Sequence, residues 1–311
     1  MKAIVIGYGS IGKRHATILK DMGIETAVVS RREVDFPLQY SDLESAIKVF
    51  GPQLIVIANK TNEHYSSLNE IIKTGWKGKI LVEKPLFHKA YKFLLQPGVE
   101  VFVAYNLRFH PGIQRLRSEI QTECIISVMA YVGQYLPSWR PDRDYRESYS
   151  SKLEEGGGVL RDLSHELDYI TWLFGRWRRI TAVGGHFSSL EISSDDCWGI
   201  LVETEFCPIV SLQMNYLDRP GRREIVVVTD KHTYKLDLYK GIFEIDGRID
   251  SFEIKRNETY LNQYRSLLNG NLDMLCSWEE GNNILRMLEA IETSKQRQEW
   301  IWNEEVMYDL R

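Results

Sequence analysis

Gly7-Tyr8-Gly9-Ser10-Ile11-Gly12 is the most informative run of residues for the fold of the N-terminal part of this chain. It directly follows an apolar run at 3–6 and opens an amphipathic pattern that contains Ala16, Ile18 and Leu19. A GxGxxG between a strand and a helix permits a tight turn, a close approach to a pyrophosphate and close packing of helix on sheet. The helix N-terminus offers N–H groups and a positive dipole end to phosphates. The sequence therefore predicts a dinucleotide-binding turn, with a purely structural glycine turn as the alternative.

Short apolar strands and helical patterns alternate through the first part of the chain. The predicted strands lie at 3–6, 26–29, 53–58, 80–83 and 101–104. A helix is predicted from Ser41, the expected N-cap, because Glu44 follows three residues later. Such alternation indicates a parallel, doubly wound sheet. We therefore predict an α/β protein whose residues 1–118 form a Rossmann domain.

The pattern changes near residue 124, where strands begin to follow one another without intervening helices. The predicted elements are a strand at 124–131, a polar loop at 139–149, a helix at 157–174, several strands within 180–245, and helices at 258–268 and 278–295. Strands in series indicate an α+β domain with a large open, mostly antiparallel sheet at 119–311. An apolar outer face on such a sheet is a natural surface for a homodimer.

The composition excludes several classes of protein. Across 311 residues, 43% are hydrophobic, 26% are charged and the net charge is −4, without the basic footprint of a nucleic-acid binder. The four cysteines form no CxxC pair, so we expect reduced thiols and no metal site. The N-terminal apolar run is too short for a signal peptide, and no stretch approaches the length of a membrane span. We therefore expect a cytoplasmic protein that binds neither membranes nor nucleic acids.

The residues after the second predicted strand bear on the choice of cofactor. An NAD enzyme usually places Asp or Glu there, on the ribose 2′-hydroxyl. This chain has Ser30-Arg31-Arg32 instead. A hydroxyl and two guanidinium groups suit a 2′-phosphate. The sequence therefore favours NADP over NAD, and a solvated basic loop is the alternative.

A lysine ends the fourth predicted strand, in Ile80-Leu81-Val82-Glu83-Lys84-Pro85. Ligands in open α/β sheets bind outside the carboxyl ends of strands, and Pro85 biases Lys84 toward an extended backbone. We therefore expect Lys84 in the cofactor crevice, where it hydrogen-bonds a substrate hydroxyl or exchanges a proton with it. The alternative is a turn with a solvated lysine.

The predicted helix at 157–174 carries a histidine between two carboxylates. On one continuous helix, Asp162, His165 and Tyr169 share a polar face, and Asp162 and Asp168 each lie three residues from His165. A carboxylate beside a histidine fixes its tautomer and suits it to general acid–base work. The sequence leaves open which aspartate is the partner. A histidine on a solvated face is the alternative.

The loop at 139–149 is predicted to reach over the site. Its aromatic and basic side chains, which include Trp139, Arg140, Tyr145 and Arg146, suit a sugar ring and an anionic group such as a carboxylate or a diphosphate. The alternative is a solvated loop of mixed charge.

Four stretches, in this order, resemble the glucose–fructose oxidoreductase/inositol dehydrogenase (Gfo/Idh/MocA) family. They are GYGSIGKRH at 7–15, EKP at 83–85, AYNLRFHP at 104–111 and GGGVLRDLSHELDYITWLFG at 156–175. The resemblance extends over the whole chain. It implies hydride transfer between NAD(P) and a carbon of a sugar or related polyol, in a homodimer or homotetramer.

The resemblance also implies roles for particular residues. Lys84 matches the family's catalytic lysine, with a cis bond to Pro85, and His165 matches its catalytic histidine. The family's aspartate usually lies four residues before that histidine. Here Asp162 lies three before it, so Asp168 remains open as the partner.

The predicted contacts combine the motif and the resemblance. The predicted cofactor contacts are Gly7, Tyr8, Gly9, Ser10, Ile11, Gly12, Ser30, Arg31, Arg32, Asn59, Lys60, Thr61, His64, Glu83, Lys84 and Asn106. The predicted substrate contacts are Lys84, Tyr105, Arg108, Trp139, Arg140, Tyr145, Arg146, Asp162 and His165.

In the predicted oxidation, His165 takes the hydroxyl proton while Lys84 hydrogen-bonds the same oxygen. Two other classes remain open. One is a non-catalytic NADP(H)-sensing regulator, which needs the glycine turn but neither Lys84 nor His165. The other is a lyase or hydrolase that oxidises its substrate transiently and returns the hydride.

Overall fold

The computed structural model describes residues 1–308, and these divide into two compact units. Unit 1 contains Met1–Tyr105 and Tyr260–Leu285, and unit 2 contains Asn106–Thr259 and the segment from Arg286 onward. One unit is built on a mainly parallel sheet and the other on a larger, mainly antiparallel sheet. The predicted fold class is therefore confirmed.

Unit 1 is built on a seven-stranded sheet in the order β15-β6-β5-β4-β1-β2-β3. Its strands are β1 (Lys2–Ile6), β2 (Glu25–Val29), β3 (Gln39–Tyr40), β4 (Leu54–Ile57), β5 (Gly78–Val82), β6 (Val99–Val103) and β15 (Cys276–Ser277). The first six pair in parallel, and β15 adds to β6 antiparallel. The strand order 3-2-1-4-5-6 is that of dinucleotide-binding folds, in which ligands bind outside the carboxyl ends of the strands.

The helices of unit 1 follow the apolar periodicity of the sequence. They are α1 (Ser10–Asp21), α2 (Leu43–Phe50), α3 (His64–Lys73), most of α7 (Glu258–Asn269) and the start of α8 (Trp278–Arg297). Helix α2 is capped by Asp42 rather than by the predicted Ser41, because the Asp42 carboxylate accepts from the Ser45 N–H at 2.7 Å.

Unit 2 contains a nine-stranded sheet in the order β14-β13-β12-β11-β7-β10-β9-β8-β16. Its strands are β7 (Ile125–Gly133), β8 (Trp177–Gly185), β9 (Cys197–Thr204), β10 (Val210–Asn215), β11 (Arg222–Thr229), β12 (Thr233–Asp237), β13 (Ile242–Ile245), β14 (Arg248–Ser251) and β16 (Ile301–Trp302). Strands β7 and β10 pair in parallel, and the other described pairs are antiparallel.

Helices cover one face of this sheet and bury its alternate residues. The helices are α4 (Pro111–Glu119), α5 (Val159–Asp162), α6 (His165–Phe174), the end of α8 and α9 (Glu304–Tyr308). Leu167 and Ile170 of α6 are fully buried, as is Val132 of β7. The alternating residues on the opposite face include Met129 and Leu201, which are 56% and 45% exposed.

The division between the units differs from the predicted one between residues 118 and 119. It falls after Tyr105, because α4 packs within unit 2, where Gly112 lies against Leu236 and Phe252. Residues 260–285 return to unit 1, where β15 pairs with β6. Across the part of the chain that the structure describes, no helix combines the length and the apolar character needed to cross a membrane.

Candidate active site

The glycine turn of unit 1 is required by packing at two of its three glycines. Gly7 has φ +90°, and a Cβ there would lie 2.7 Å from the Asn59 Cα. A Cβ on Gly12 would collide with the Gly7 carbonyl. Within residues 1–308, a Cβ on Gly9 would meet no heavy atom within 4 Å. Gly9 therefore faces the open space into which the turn could admit a phosphate.

Helix α1 begins directly at this turn with its N–H groups available. Its N-cap is Gly9, and the described residues place no side-chain cap and no acidic first-turn residue there. The first N–H groups of a helix have no intrahelical acceptors, so Ser10, Ile11 and Gly12 present donors and a positive dipole end. This chemistry fits an anionic pyrophosphate.

A buried acceptor lies beside the turn, at the end of β4. The Asn59 amide donates to the Ser67 hydroxyl at 2.9 Å, whereas its Oδ1 is buried without a hydrogen-bond partner in the described chain. The exposed Lys60 and the buried Thr61 follow it. An unused acceptor at the carboxyl edge of the sheet also fits a bound dinucleotide.

The Ser30-Arg31-Arg32 segment forms an ordered turn after β2. The Ser30 hydroxyl donates to the Arg32 carbonyl at 2.8 Å and accepts from the Arg32 N–H at 3.2 Å. The Gln39 amide donates to the carbonyls of Ser30 and Arg32 at 3.1 and 2.7 Å. Both arginines are exposed. The turn therefore fixes the backbone and leaves the two guanidinium groups at the surface.

The glycine turn lies next to the end of β2, where the Gly7 N–H donates to the Val29 carbonyl at 2.9 Å, and Tyr8 contacts the residues that follow the basic segment. Its ring packs edge-to-face on Phe36 at 5.7 Å, and its hydroxyl donates to the Asp35 carbonyl at 3.1 Å. The two predicted cofactor elements thus lie side by side.

Lys84 follows β5 in a turn whose Lys84–Pro85 bond is cis, as the resemblance implied. The side chain of Lys84 is half-buried. Glu83 is 8% exposed, and its carboxylate accepts from the Lys84 N–H at 3.1 Å. Lys84 therefore extends from an anchored backbone at the same sheet edge as the glycine turn.

His64, a predicted cofactor contact, is buried and contacts the backbone of this turn. Its buried ring lies 3.1 and 3.2 Å from the carbonyls of Pro85 and Leu86, and 3.3 Å from that of Asn59. Burial lowers the pKa of His64. Its contacts are those of a residue that joins the ends of β4 and β5, so we reassign it to positioning.

His15 is a residue of this site that was not among the predicted ones. This fully buried side chain bonds Glu83 at 2.8 Å and Tyr264 at 2.6 Å. Its position in the amphipathic pattern of α1, beside the core residue Ala16, was an available signal, because a buried ionisable group needs partners.

In unit 2, the predicted continuous helix at 157–174 is wrong. Helix α5 ends at Asp162, and α6 begins at His165. The break arises where α5 is held separately by Asp195, which accepts from its first turn at 2.9 Å. Asp162 and His165 therefore lie on different helices. Tyr169, predicted on the same polar face, is buried.

Asp168 forms a buried ion pair with Arg108. The guanidinium Nε lies 3.1 and 3.0 Å from the two carboxylate oxygens, and Nη2 lies 2.7 Å from the first. Both side chains are 1% exposed. The prediction of Arg108 as a substrate contact is therefore wrong for this structure, because the guanidinium group of Arg108 is buried against the Asp168 carboxylate.

Asp162 is held by two tyrosine hydroxyls instead. Tyr149 donates to one oxygen at 2.8 Å, and Tyr216 donates to the other at 2.6 Å. Burial, and then the charge of Asp162, raise the pKa of Tyr149 and of Tyr216 well above the usual range. Both tyrosines therefore keep their protons and donate. These two phenols add no positive charge beside Asp162, whereas Arg108 places a guanidinium against Asp168.

The loop after β7 brings two predicted residues to this cluster. The Trp139 ring packs edge-to-face on Tyr216 at 5.2 Å. Its Nε1 is buried without a hydrogen-bond partner among residues 1–308. Arg140 is exposed, and its charge acts on the buried Tyr149. An aromatic face and an indole N–H thus lie beside Tyr216, one of the two donors to Asp162.

Two other loop residues serve the loop itself. Arg146 pairs with Asp144 at 2.7 Å and with Glu191 at 3.0 Å. The Tyr145 hydroxyl accepts from the Glu191 N–H at 3.2 Å. The charge of Arg146 is therefore matched within the protein.

Two neighbouring predicted contacts lie in the interiors of the units. Tyr105 is 1% exposed and belongs to the core of unit 1, so its prediction as a substrate contact is wrong for this structure. The Asn106 amide donates to the Thr259 hydroxyl at 2.7 Å within unit 2.

Parts of this chain match a protein-family model and two curated proteins. Residues 113–235 match the family model of the GFO/IDH/MocA C-terminal domain. An uncharacterised oxidoreductase of Synechocystis is 27% identical over 156 residues, which are 48% of this chain and 41% of the relative. Levoglucosan dehydrogenase of Pseudarthrobacter phenanthrenivorans is 24% identical over 206 residues, which are 58% of this chain and 52% of the relative. The matched region thus spans about half the length of these curated relatives.

Solved structures share the fold over nearly the whole chain. Levoglucosan dehydrogenase in complex with NADH has a TM-score of 0.82 at 16% identity, covering 97% of this chain and 98% of that one. The WlbA dehydrogenase from Bordetella pertussis, in complex with NADH and UDP-GlcNAcA, has a TM-score of 0.78 at 18% identity, covering 97% and 98%. The predicted family resemblance is confirmed.

Proposed function

We propose that the chain is a member of the Gfo/Idh/MocA family and a nicotinamide-dependent dehydrogenase acting on a CH–OH group of a sugar-like substrate. One observation carries the proposal. Gly7, Asn59 and Lys84 follow β1, β4 and β5, so the glycine turn, an unused acceptor and a lysine share the carboxyl edge of one parallel sheet. That edge is where such sheets bind their ligands.

The residues of unit 1 support a dinucleotide cofactor. The start of α1 and the open side of Gly9 suit the pyrophosphate, and Asn59 supplies an acceptor. When bound, the nicotinamide supplies a two-electron acceptor or donor of hydride. The exposed Arg31 and Arg32 support NADP over NAD, because guanidinium groups suit a 2′-phosphate.

The chain's own residues then handle the proton and the charge. In oxidation, the carbinol carbon loses a hydride, and His165 accepts the hydroxyl proton as general base. Lys84 donates a hydrogen bond to the same oxygen and stabilises its developing negative charge. Asp162, held by Tyr149 and Tyr216, stabilises the protonated histidine. Reduction reverses each transfer.

The substrate is proposed to be a sugar, a sugar derivative or a nucleotide sugar. The proteins with the same fold bind levoglucosan in one case and UDP-GlcNAcA in another. In this chain, Trp139 offers a ring face and Arg140 offers a charge for an anionic substituent. Arg146 is less suited, because Asp144 and Glu191 already match its charge.

The outer face of the nine-stranded sheet is the proposed surface for a homodimer or homotetramer. Met129 and Leu201 flank Ser211 in one cross-strand row, and Val183 is 74% exposed. Exposed apolar side chains on a broad sheet favour association with a second copy. The cytoplasmic location stays a prediction from the sequence.

The experiment is a panel of sugars, acidic sugars and nucleotide sugars offered with NADP⁺ or NAD⁺ while nicotinamide reduction is followed. We expect turnover with at least one, lost in Lys84→Met and retained in the control Lys92→Met, an exposed lysine of the same crossover. Cofactor binding without turnover would instead support a sensing regulator. Product formation without net nicotinamide reduction would support a lyase or hydrolase.

A further inference from the structure

We propose that His15 is a positioning residue for Lys84: it fixes the Glu83 carboxylate, which in turn fixes the backbone of Lys84, and Tyr264 of α7 completes the support. The proposal rests on the proposed function only for what Lys84 does. The support itself is a property of unit 1, to which all four residues belong.

The contacts form a continuous chain through the interior of unit 1. The Tyr264 hydroxyl lies 2.6 Å from Nδ1 of His15, and Nε2 of His15 lies 2.8 Å from Oε1 of Glu83. Oε2 of Glu83 accepts from the Lys84 N–H at 3.1 Å. His15 and Tyr264 are fully buried and Glu83 is 8% exposed, so water does not compete for these bonds.

The chemistry of the carboxylate determines which group donates in the hydrogen bond between His15 and Glu83. A carboxylate only accepts, so Nε2 of His15 carries the proton toward Glu83 in either charge state. In the neutral tautomer, Nδ1 then accepts from Tyr264. Burial, and then the charge of Glu83, raise the pKa of Tyr264 well above its usual range, so the phenol keeps the proton that it donates.

Glu83 is held in its charged form by the groups around it. Burial alone would raise the pKa of Glu83, but the hydrogen bond and charge of His15, together with the charge of Lys84, lower it. The facing groups are His15 on α1, Tyr264 on α7, His64 on α3 and Lys84 itself. Removing the donor would leave a buried anion short of a partner, which is costly, so the turn would rearrange.

The geometry explains why α7 returns to unit 1. Tyr260 and Tyr264 lie one helical turn apart, and both rings pack edge-to-face on His15, at 5.6 and 5.7 Å. Arg14 stacks over Tyr260 at 5.2 Å. A segment far along the chain thus locks the side chain that supports Lys84, although neither tyrosine reaches Lys84 itself through these bonds.

A matched pair of substitutions at His15 tests the proposal. Glutamine places its amide nitrogen near the position of Nε2 and keeps the donor to Glu83. Asparagine reaches only the position of Nδ1, so it keeps the contact with Tyr264 and loses that donor. Both remove the ring from the same buried site, so a role in packing alone predicts similar effects.

In steady-state assays, we expect His15→Asn to lower kcat by about 10- to 100-fold, with the KM for the sugar changed by less than about threefold. His15→Gln should retain kcat within about fivefold of the unsubstituted protein. Tyr264→Phe, which removes one neutral donor, should lower kcat by about threefold and provides the test if His15→Asn does not fold.

A second readout needs neither cofactor nor activity. In the cofactor-free protein, labelling of Lys84 by acetic anhydride is measured by mass spectrometry against Lys92 as internal reference. We expect labelling of Lys84 to rise by about threefold or more in His15→Asn and in Glu83→Gln, because the turn is then no longer fixed and the half-buried amine becomes more accessible to the reagent. His15→Gln should match the unsubstituted protein.

Equal kcat and equal Lys84 labelling in His15→Asn and His15→Gln would overturn the positioning role while leaving the proposed function intact. Full turnover in Lys84→Met would instead overturn the role proposed for Lys84. The labelling experiment would still decide whether His15 and Glu83 fix that residue.

Discussion

Two regions of the molecule hold a buried carboxylate close in sequence to a proposed catalytic group, and they hold it differently. After β5, Glu83 is fixed by an imidazole and by the N–H of Lys84. At the break between α5 and α6, Asp162 is fixed by two phenols. The bonds to Glu83 thus include one from an ionisable imidazole, whereas the bonds from Tyr149 and Tyr216 to Asp162 come from neutral phenols.

The two carboxylates are therefore suited to different tasks. Burial alone would raise the pKa of Glu83, but the hydrogen bond and charge of His15 and the charge of Lys84 lower it, so Glu83 anchors the turn as an anion. Next to Asp162, burial and then the charge of the carboxylate raise the pKa of Tyr149 and of Tyr216, so both phenols stay protonated and donate. A carboxylate that accepts from phenols which keep their protons is suited to stabilise a nearby imidazolium.

The largest effect expected from this comparison is that of His165→Ala. Loss of a general base lowers kcat by about 10²- to 10⁴-fold, while the Kd for the nicotinamide cofactor stays within about twofold, because the proposed pyrophosphate and ribose contacts lie in unit 1. Kinetics and fluorescence titration measure the two quantities. The control is His232→Asn, a half-exposed histidine paired with Asp246. Unchanged kcat in His165→Ala would remove the role proposed for α6.

Asp162→Asn and Asp168→Asn separate the two candidate partners of His165. We expect Asp162→Asn to lower kcat by about 10- to 100-fold with little loss of stability. Asp168→Asn leaves the buried Arg108 without its counter-charge and should cost about 3–5 kcal/mol of unfolding free energy. Urea unfolding and steady-state kinetics measure both. A stable Asp168→Asn that has lost more kcat than Asp162→Asn would reverse the assignment.

Smaller effects are expected from Tyr149→Phe and Tyr216→Phe. Each removes one neutral donor while the other remains, so kcat should fall by about three- to tenfold in each. In the double variant, we expect a loss greater than the product of the two, because the carboxylate is then left without either donor. Steady-state rates of the four proteins decide this. Strict multiplication of the single losses would show that the phenols act independently.

The smallest effect expected is a pH dependence of stability that belongs to Glu83. Its pKa in the folded chain lies below the ordinary value of 4.5. The stability that it contributes is therefore present above about pH 4.5 and is lost as the pH falls through the folded-state pKa. In Glu83→Gln, the free energy of unfolding should fall less steeply as the pH decreases in this range, by at most about 1.4 kcal/mol per pH unit, as measured by urea unfolding. The control is Glu154→Gln, at an exposed residue. If the unfolding free energy fell as steeply with decreasing pH in Glu83→Gln as in the unsubstituted protein, the expectation would be contradicted.

Local sequence pattern was sufficient to predict the fold. The glycine turn, the parallel strands and the change to strands in series each depend on spacing within a few residues. The boundary between units was placed too late because the packing of α4 on β12 depends on Leu236, which lies far along the chain.

The candidate site was predictable only for residues that carry a motif. Lys84 and Asp162 have local signals, whereas their supports, Tyr264 and Tyr216, come from distant segments that no spacing connects to them. The helix break after Asp162 was missed because the apolar periodicity continues through it, although the backbone does not. Arg108 was misassigned because a sequence does not show that a charge has a buried counter-charge.

The most direct test of the proposed chemistry follows the hydrogen itself. A sugar substrate found in the panel is deuterated at the reacting carbon, and the nicotinamide recovered after a single turnover is examined by mass spectrometry. If hydride passes from the sugar to the nicotinamide as proposed, the reduced nicotinamide contains one deuterium with the unsubstituted protein and none with Lys84→Met. Turnover that leaves the nicotinamide unlabelled, or an equal yield of labelled nicotinamide from Lys84→Met, would contradict it.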